Sequence, residues 1–210
     1  RSKTSAKTGS DGVLEMLRDK IANHDLPPGS KLRESNLSGD FGVSRARIRE
    51  VFGALEGRGL IERIPNRGAV VTRLNSEQVF NLFDVREVLE ALSVRLATEK
   101  QKPESWQDLI ELFGEPAEKL IKDGDLEEYI KQLAILRQRM VDGADNALLA
   151  GHLDGLYDRT RVVIRRIVIL PGRAQKGLSE HRKILAAMRL GDADKAERLK
   201  RENIHAAREC

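Results

Sequence analysis

The fold of the first third of this chain can be inferred from the stretch Phe41-Gly42-Val43-Ser44-Arg45-Ala46-Arg47-Ile48-Arg49-Glu50. Ser44 follows a tight Gly-Val turn, and its hydroxyl can cap a helix by accepting a hydrogen bond from an amide of the first turn. Apolar residues then recur at helical spacing and give the helix one face to bury: Ile48, Val51, Phe52 and Leu55. The sequence therefore predicts a helix that begins just after Ser44.

The first turn and a half of this helix carries three arginines, Arg45, Arg47 and Arg49. Cations at a helix N-terminus oppose the helix dipole, which costs roughly 0.3 kcal/mol or more. Because a bound anion would offset that cost, the arrangement indicates a helix that meets a phosphate backbone.

The segments on either side complete a winged helix-turn-helix. A short helix is predicted over residues 32–41, and Gly42 provides the turn into the next helix. Two β-type runs, residues 60–64 and 69–72, then flank the turn Pro65-Asn66-Arg67-Gly68. A helix-turn-helix followed by a hairpin with a basic tip is typical of a DNA-binding module.

In order and spacing these motifs resemble the GntR family of bacterial transcriptional regulators, and the similarity extends over residues 12–73. The resemblance implies that residues of the second helix contact the operator and that the glycine at the wing tip approaches the minor groove. The residues at the matching positions are Ser44, Arg45, Arg49, Arg67 and Gly68. We add Arg33 and Arg47 to the predicted DNA-binding set on their positions alone.

From Ser76 onward the sequence shows only helical periodicity, which favours an antiparallel helical bundle with short connections. Six helices are predicted, over residues 76–100, 103–121, 126–141, 146–170, 177–190 and 193–208. The expected fold class is therefore mainly α. A disordered tail over residues 1–10 precedes a winged helix-turn-helix domain over residues 11–74 and a helical effector-binding and dimerisation domain over residues 75–210.

Three segments of the helical part resemble the FCD effector-binding domain, which points to the FadR-like branch of the GntR family: residues 80–90, 145–149 and 180–188. The resemblance covers residues 76–205. It implies a bundle that forms a homodimer and encloses a pocket for a small molecule. Many such domains also hold a divalent metal through one Asp and three His.

This chain departs from that metal-binding pattern. Counting back from Asn146, the family's Asp and first His fall on Leu133 and Arg137, whereas the later two positions fall on His181 and Asn203. Leu has no ligating atom, and Arg is a permanent cation that repels a metal ion. We therefore expect no cofactor: the family-type divalent metal site is predicted to be lost.

One alternative keeps a metal by shifting the last helix so that His205 joins His181, with or without His152. Two residues turn a helix by about 200°, which moves a side chain to nearly the opposite face. The physical argument therefore favours the metal-free interpretation.

Arg137 suggests how a pocket without metal could bind an organic acid. A guanidinium can hold a carboxylate directly through a bidentate, charge-assisted pair. Arg86 lies in the helix that lines the family's pocket and is a second candidate, with His181 and Asn203 as hydrogen-bonding partners of the effector. The alternative places Arg137 on a solvated face or beside a nearby carboxylate.

Composition agrees with a nucleic-acid-binding N-terminal third. Residues 1–74 hold 14 Lys and Arg against 9 Asp and Glu, whereas residues 75–210 hold 23 against 24. The single cysteine, Cys210, excludes a disulfide framework, and the sequence contains no run of eighteen apolar residues. We expect a cytoplasmic protein with no membrane partner.

Together these features predict a homodimeric, sequence-specific transcriptional regulator, with repression as the commonest logic among relatives. It would bind a palindromic double-stranded DNA operator with an affinity modulated by a small effector, expected to be a carboxylate. The alternative is a constitutive or architectural DNA-binding dimer without an effector. An enzyme is not expected, because the sequence has no nucleophile with a base at motif spacing, no phosphate loop and no paired acids with a site around them.

Overall fold

The computed structural model describes residues 10–210 of the 210-residue chain. These residues form two compact units, one of residues 10–75 with residues 157–162, the other of residues 76–156 with residues 163–210. The tail predicted over residues 1–10 lies outside the described residues except for Ser10, which is the first residue of a helix.

The first unit is a winged helix-turn-helix. Its elements are α1 (Ser10–Ala22), β1 (Lys31–Leu32), α2 (Glu34–Phe41), α3 (Arg45–Gly57), β2 (Ile61–Ile64) and β3 (Gly68–Val71). The strands form an antiparallel sheet in the order β1-β3-β2, with Glu62 opposite Val70 in the hairpin. The predicted apolar face of α3 is buried in the core, where it packs with residues of α1 and the sheet: Val13, Leu17, Ile21, Ile61 and Val71.

The segment before α2 is a strand, so the helix predicted over residues 32–41 begins too early. Leu32 pairs with Ala69 of β3, and its buried side chain joins the core as a strand residue. Arg33 has an extended backbone (φ −106°, ψ 120°), and α2 begins at Glu34. A two-residue strand is too short to show an alternating pattern, which is why the sequence gives no sign of it.

Residues 76–210, of which residues 157–162 belong to the first unit, form helices joined by short turns. They are α4 (Ser76–Lys100), a 3-10 turn (Pro103–Trp106), α5 (Gln107–Leu112), α6 (Glu115–Asp123), α7 (Leu126–Gly143), α8 (Ala147–Val168), α9 (Arg173–Arg189) and α10 (Ala193–Arg208). Helix α4 packs against α7, α9 and α10, and α9 also packs against α5, α6 and α10. The helical bundle predicted from the sequence is confirmed.

Helix α9 begins at Arg173, four residues before the predicted start. Gly172 follows Pro171 and has a left-handed backbone (φ 75°), so the chain turns and enters the next helix at once. The early start places Arg173 inside the helix, where its side chain is buried. Among residues 10–210, no helix has the length and apolar character needed to cross a lipid bilayer.

Candidate functional sites

The first candidate site is the exposed N-terminal end of α3. Ser44 has an extended backbone, and its hydroxyl oxygen accepts a hydrogen bond from the amide N–H of Arg47 at 3.3 Å. The predicted helix cap is therefore present. Arg45, Arg47 and Arg49 are all exposed, on the side of α3 that the core leaves to solvent.

The start of α2 is the second part of this exposed site, beside the N-terminal end of α3. Arg49 Nε donates a hydrogen bond to Glu34 Oε2 at 2.9 Å, and both side chains are accessible to solvent. Arg33 directly precedes Glu34 and is also exposed. An exposed ion pair of this kind contributes at most about 1 kcal/mol, so a phosphate group could replace Glu34 as the partner of Arg49.

The tip of the β2–β3 hairpin is the third part of the surface. Arg67 is exposed, and its amide N–H donates to the Ile64 carbonyl at 3.0 Å, which closes the turn. Asn66 and Gly68 have positive φ angles, 62° and 80°. A Cβ atom at Gly68 would meet no atom within 4 Å, so the glycine is needed for its backbone angle and leaves the tip open.

A pocket inside the helical unit is the second candidate site. The space between its lining atoms, including the open mouth and the solvent in it, is about 610 Å³. Its lining comes from α4, α7, α8, α9 and α10 and includes all four residues predicted to bind an effector: Arg86, Arg137, His181 and Asn203. Arg137 is partly buried in this lining.

A buried carboxylate holds two cations on one side of the pocket. Arg86 Nε donates to Glu90 Oε1 at 2.5 Å, and Lys200 Nζ lies 2.7 Å from Glu90 Oε2. Burial alone would raise the pKa of Glu90, but Arg86, Lys200 and Arg137 together lower it well below its usual range. Burial lowers the pKa of Lys200 despite the attraction of Glu90.

A second carboxylate, Glu180, holds two other lining residues. Arg173 Nη2 donates to Glu180 Oε2 at 3.0 Å, and Asn203 Nδ2 donates to the same oxygen at 2.7 Å. Asn203, which the sequence predicts to be a hydrogen-bonding partner of the effector, therefore uses its amide nitrogen to hold Glu180.

Several buried polar atoms of the lining have no hydrogen-bond partner among the described residues. They are Arg86 Nη1, Arg173 Nε and Nη1, the Tyr129 hydroxyl and His181 Nδ1. Burial raises the pKa of Tyr129, so its hydroxyl keeps its proton. Burial, together with Lys200 and Arg173, lowers the pKa of His181 to about 3, so its imidazole is neutral. Leaving such groups unpaired costs about 1–3 kcal/mol each, which a ligand that accepts hydrogen bonds would recover.

Sequence reasoning missed four polar residues of this lining: Glu90, Tyr129, Arg173 and Lys200. The four-residue spacing of Arg86 and Glu90 on one helix was an available signal. Arg173 was missed because the start of α9 was placed too late.

The positions that match the family's metal ligands, Leu133, Arg137, His181 and Asn203, all line this pocket. Within residues 10–210, no group of three or more His, Cys, Asp or Glu side chains is arranged to hold a metal ion. His152 and His205, the other histidines considered, are exposed. The loss of the family-type metal site stays a prediction.

Comparison with known families gives one match for each part of the chain. The FCD domain matches residues 81–206, and the family described as bacterial regulatory proteins, gntR family, matches residues 10–71. The chain belongs to the GntR family and carries an FCD domain. Members of this family are DNA-binding transcription regulators, not enzymes.

Individual relatives of this GntR-family protein extend over most of its length. The HTH-type transcriptional regulator YdhC of Bacillus subtilis is 30% identical over 198 residues, covering 92% of this chain and 81% of YdhC. The HTH-type transcriptional repressor RspR of Escherichia coli is 28% identical over 193 residues, covering 89% and 81%. The solved structure of E. coli McbR/YncC shares the fold, with a TM-score of 0.79, 21% identity and coverage of 94% and 93%.

Proposed function

We propose that this GntR-family protein is a homodimeric transcriptional repressor whose operator affinity is altered by a small carboxylate in the FCD pocket. A repressor among its relatives, RspR, supports the sign of regulation. An effector acts in this way only if it binds the DNA-competent and DNA-incompetent arrangements with different affinities.

The observation that carries the proposal is the set of unpaired cationic donors in the pocket. Arg86 and Arg173 are both buried, and each has guanidinium N–H groups without a partner among the described residues. A carboxylate can accept hydrogen bonds from two such N–H groups at once.

The proposed operator contacts come from the exposed surface of the first unit. In a winged helix-turn-helix, the N-terminal residues of the second helix contact base edges and phosphates in the major groove. We assign Ser44, Arg45, Arg47 and Arg49 to these contacts. Arg33 would reach an adjacent phosphate, while Arg67 and Gly68 at the wing tip would approach the minor groove.

The proposed dimer is supported by an apolar stripe on α4. Val85, Val88 and Leu92 are spaced three and four residues apart and therefore share one helix face, and they are 53%, 52% and 37% exposed. A second copy of the chain would cover this stripe. Two-fold symmetry would then pair two winged helices with two operator half-sites.

The test measures carboxylate binding and DNA binding on the same protein. An operator is first selected from random double-stranded DNA, and carboxylates are then screened for a rise in melting temperature. We expect at least one carboxylate to stabilise the protein and to change its affinity for the selected operator. Arg137→Ala should weaken that carboxylate about 10- to 100-fold, because it removes a charged hydrogen-bonding group.

The matched control is Arg139→Ala, on the same helix, because Arg139 pairs with Asp108 instead of lining this pocket. Equal carboxylate affinity in the wild type and Arg137→Ala would remove Arg137 from the site. Operator binding without a response to any carboxylate would favour the constitutive DNA-binding dimer.

A further inference from the structure

A short piece of α8 belongs to the first unit, which carries the winged helix-turn-helix. Residues 157–162 pack with residues of that unit, whereas the rest of α8 belongs to the second unit. Val162 packs against the hydrophobic core of the winged helix-turn-helix. The first unit therefore includes an element that is distant from it in sequence and that continues, as one helix, into the second unit.

Asp158 joins two helices of the first unit. Its Oδ1 accepts hydrogen bonds from Arg18 Nε at 2.9 Å and Arg18 Nη2 at 2.7 Å, and its Oδ2 accepts one from Arg58 Nη1 at 2.8 Å. Arg18 lies in α1, and Arg58 directly follows α3. The Asp158 side chain is only 2% exposed, so water and salt screen these pairs less than they screen ion pairs on the surface.

Arg159 binds the end of α3 through the backbone. Its Nε donates a hydrogen bond to the Arg58 carbonyl at 2.8 Å. The last carbonyl groups of a helix lack partners within the helix, and a cation is favourable at this negative end of the helix dipole. A Cβ atom at Gly59 would lie 2.6 Å from Arg159 Cζ, so the guanidinium lies directly against the backbone of a glycine.

These contacts give the first unit a second attachment. Strand β3 ends at Val71 and α4 begins at Ser76, so residues 72–75 are the direct connection along the chain. A domain held by one short connection is expected to move relative to its neighbour. The contacts of Asp158 and Arg159 hold the C-terminal end of α3, at the other end of the helix from the residues proposed to contact the operator.

We propose that Asp158 and Arg159 are positioning residues that set the spacing between operator half-sites. This inference rests on the proposed function, in which a homodimer binds a palindrome. If each winged helix is held at two places, the two copies of α3 in a dimer are kept at one separation, and one half-site spacing allows both to bind fully. Without the contacts of Asp158, each winged helix can adjust to several spacings, but the ordering of a mobile unit then opposes binding at each of them.

The experiment measures operator affinity as a function of half-site spacing. The selected half-site is placed in palindromes whose centres differ by one to three base pairs, and the full chain is titrated against each by fluorescence anisotropy. The wild type should bind the best spacing about 10- to 100-fold more tightly than a spacing changed by two base pairs. Asp158→Asn should reduce this ratio to below about threefold and leave the affinity for a single half-site within about twofold, because every proposed DNA contact remains.

Two further variants accompany Asp158→Asn. Arg159→Ala removes an exposed side chain and leaves no buried charge unpaired, so it should fold and lower the spacing ratio about three- to tenfold. Glu15→Gln makes the same change of carboxylate to amide at an exposed position of α1 and should leave the ratio unchanged. Binding to a single half-site checks that the winged helix of each variant is folded.

The outcomes separate this inference from the proposed function. Equal wild-type affinity for all spacings, or a wild-type ratio retained by folded Asp158→Asn, overturns the inference and leaves the proposed function standing. If Asp158→Asn no longer binds a single half-site, Arg159→Ala decides: a reduced ratio supports the inference, and an unchanged ratio overturns it. A wild type that binds one half-site as tightly as every palindrome would instead contradict the homodimer of the proposed function.

Discussion

Glu90 shows at the scale of one residue how a buried carboxylate organises a pocket. Its two oxygens hold Arg86 and Lys200, and the side chain is almost fully buried. A hydrophobic residue in its place would leave two buried cations that repel each other. The value of Glu90 therefore lies in keeping both cations inside the helical unit.

Replacing Glu90 by Gln should lower the free energy of unfolding by about 3–5 kcal/mol, because two buried cations lose their counter-charge. Urea unfolding at pH 7 measures this loss. The control is Glu87→Gln on the same helix, where the carboxylate is 3.6 Å from Arg201 and partly solvated. That change should cost less than about 1 kcal/mol. Equal losses in the two variants would mean that Glu90 is not a structural charge.

The same carboxylate predicts how stability depends on pH. Arg86 and Lys200 hold the folded-state pKa of Glu90 well below its ordinary value of 4.5. The contribution of Glu90 to stability is therefore full above about pH 4.5 and decreases as the pH falls below that value. Between pH 5 and pH 3 the wild type should therefore lose stability more steeply than Glu90→Gln. Parallel curves from thermal melts over that range would contradict the assignment.

Individual pocket residues could be predicted from the sequence only where the resemblance to the FCD domain indicated their positions. Arg86, Arg137, His181 and Asn203 were all found in the lining. Lys200 lies in a helix rich in charged residues. It is buried because it shares one face of α10 with Ala196 and Asn203, which are four and three residues away. Which face of α10 packs against α4 is determined by tertiary structure, and the local sequence does not reveal it.

At the scale of an element, the start of α3 combines a helix cap with a candidate DNA contact. Ser44→Ala should cost about 1 kcal/mol because the cap is lost. Ser44→Asp should keep the cap and the stability, since a carboxylate is also favourable at a helix N-terminus. Its negative charge should nevertheless weaken operator binding more than Ser44→Ala does. Fluorescence anisotropy with melting curves tests this, and unchanged operator affinity in Ser44→Asp would place Ser44 away from the DNA.

The arginines of α3 should be visible in the salt dependence of DNA binding. Arg45→Ala should reduce the slope of log affinity against log salt by about one, because one fewer phosphate is neutralised. The matched control, Lys20→Ala, removes an exposed cation from the last turn of α1. Anisotropy titrations between about 50 and 200 mM salt give both slopes. An unchanged slope in Arg45→Ala would exclude a phosphate contact.

Long elements with a regular hydrophobic pattern were predicted well, whereas very short elements were not. The apolar face of α3 and the hairpin around residues 65–68 follow from local patterns and turn residues. Strand β1 has two residues and exists because β3 is beside it. The start of α9 depends on Gly172, whose positive φ ends the short connection of residues 169–172 directly before the helix.

At the scale of the whole molecule, the α4 stripe predicts how the protein assembles. Val88→Asp places a charge in the middle of the proposed interface and should convert dimers to monomers in sedimentation experiments. It should also weaken binding to a palindromic operator while leaving binding to one half-site unchanged. Leu190→Asp is the control, because Leu190 is an exposed apolar residue outside the stripe. A Val88→Asp protein that remains dimeric would move the interface elsewhere.

Metal content is a second property of the whole molecule. Protein incubated with zinc or nickel and then desalted should retain well under one metal ion per chain, because Leu133 and Arg137 stand where the family has ligands. Elemental analysis by mass spectrometry measures the ratio. Near-stoichiometric retention would show that His181 binds metal with partners other than those of the family pattern.

Strand β1 has a consequence for the kind of operator change that the protein tolerates. Strands β1 and β2 both pair with β3, and β2 packs on α3. These contacts hold the wing tip at a fixed distance from the start of α3. A changed base then removes one contact and leaves the others in place. One inserted base pair between the two contact regions displaces the DNA by about 3.4 Å and rotates it by about 35°. A base-pair substitution in the operator should therefore reduce binding affinity less than the insertion or deletion of a base pair between the two contact regions.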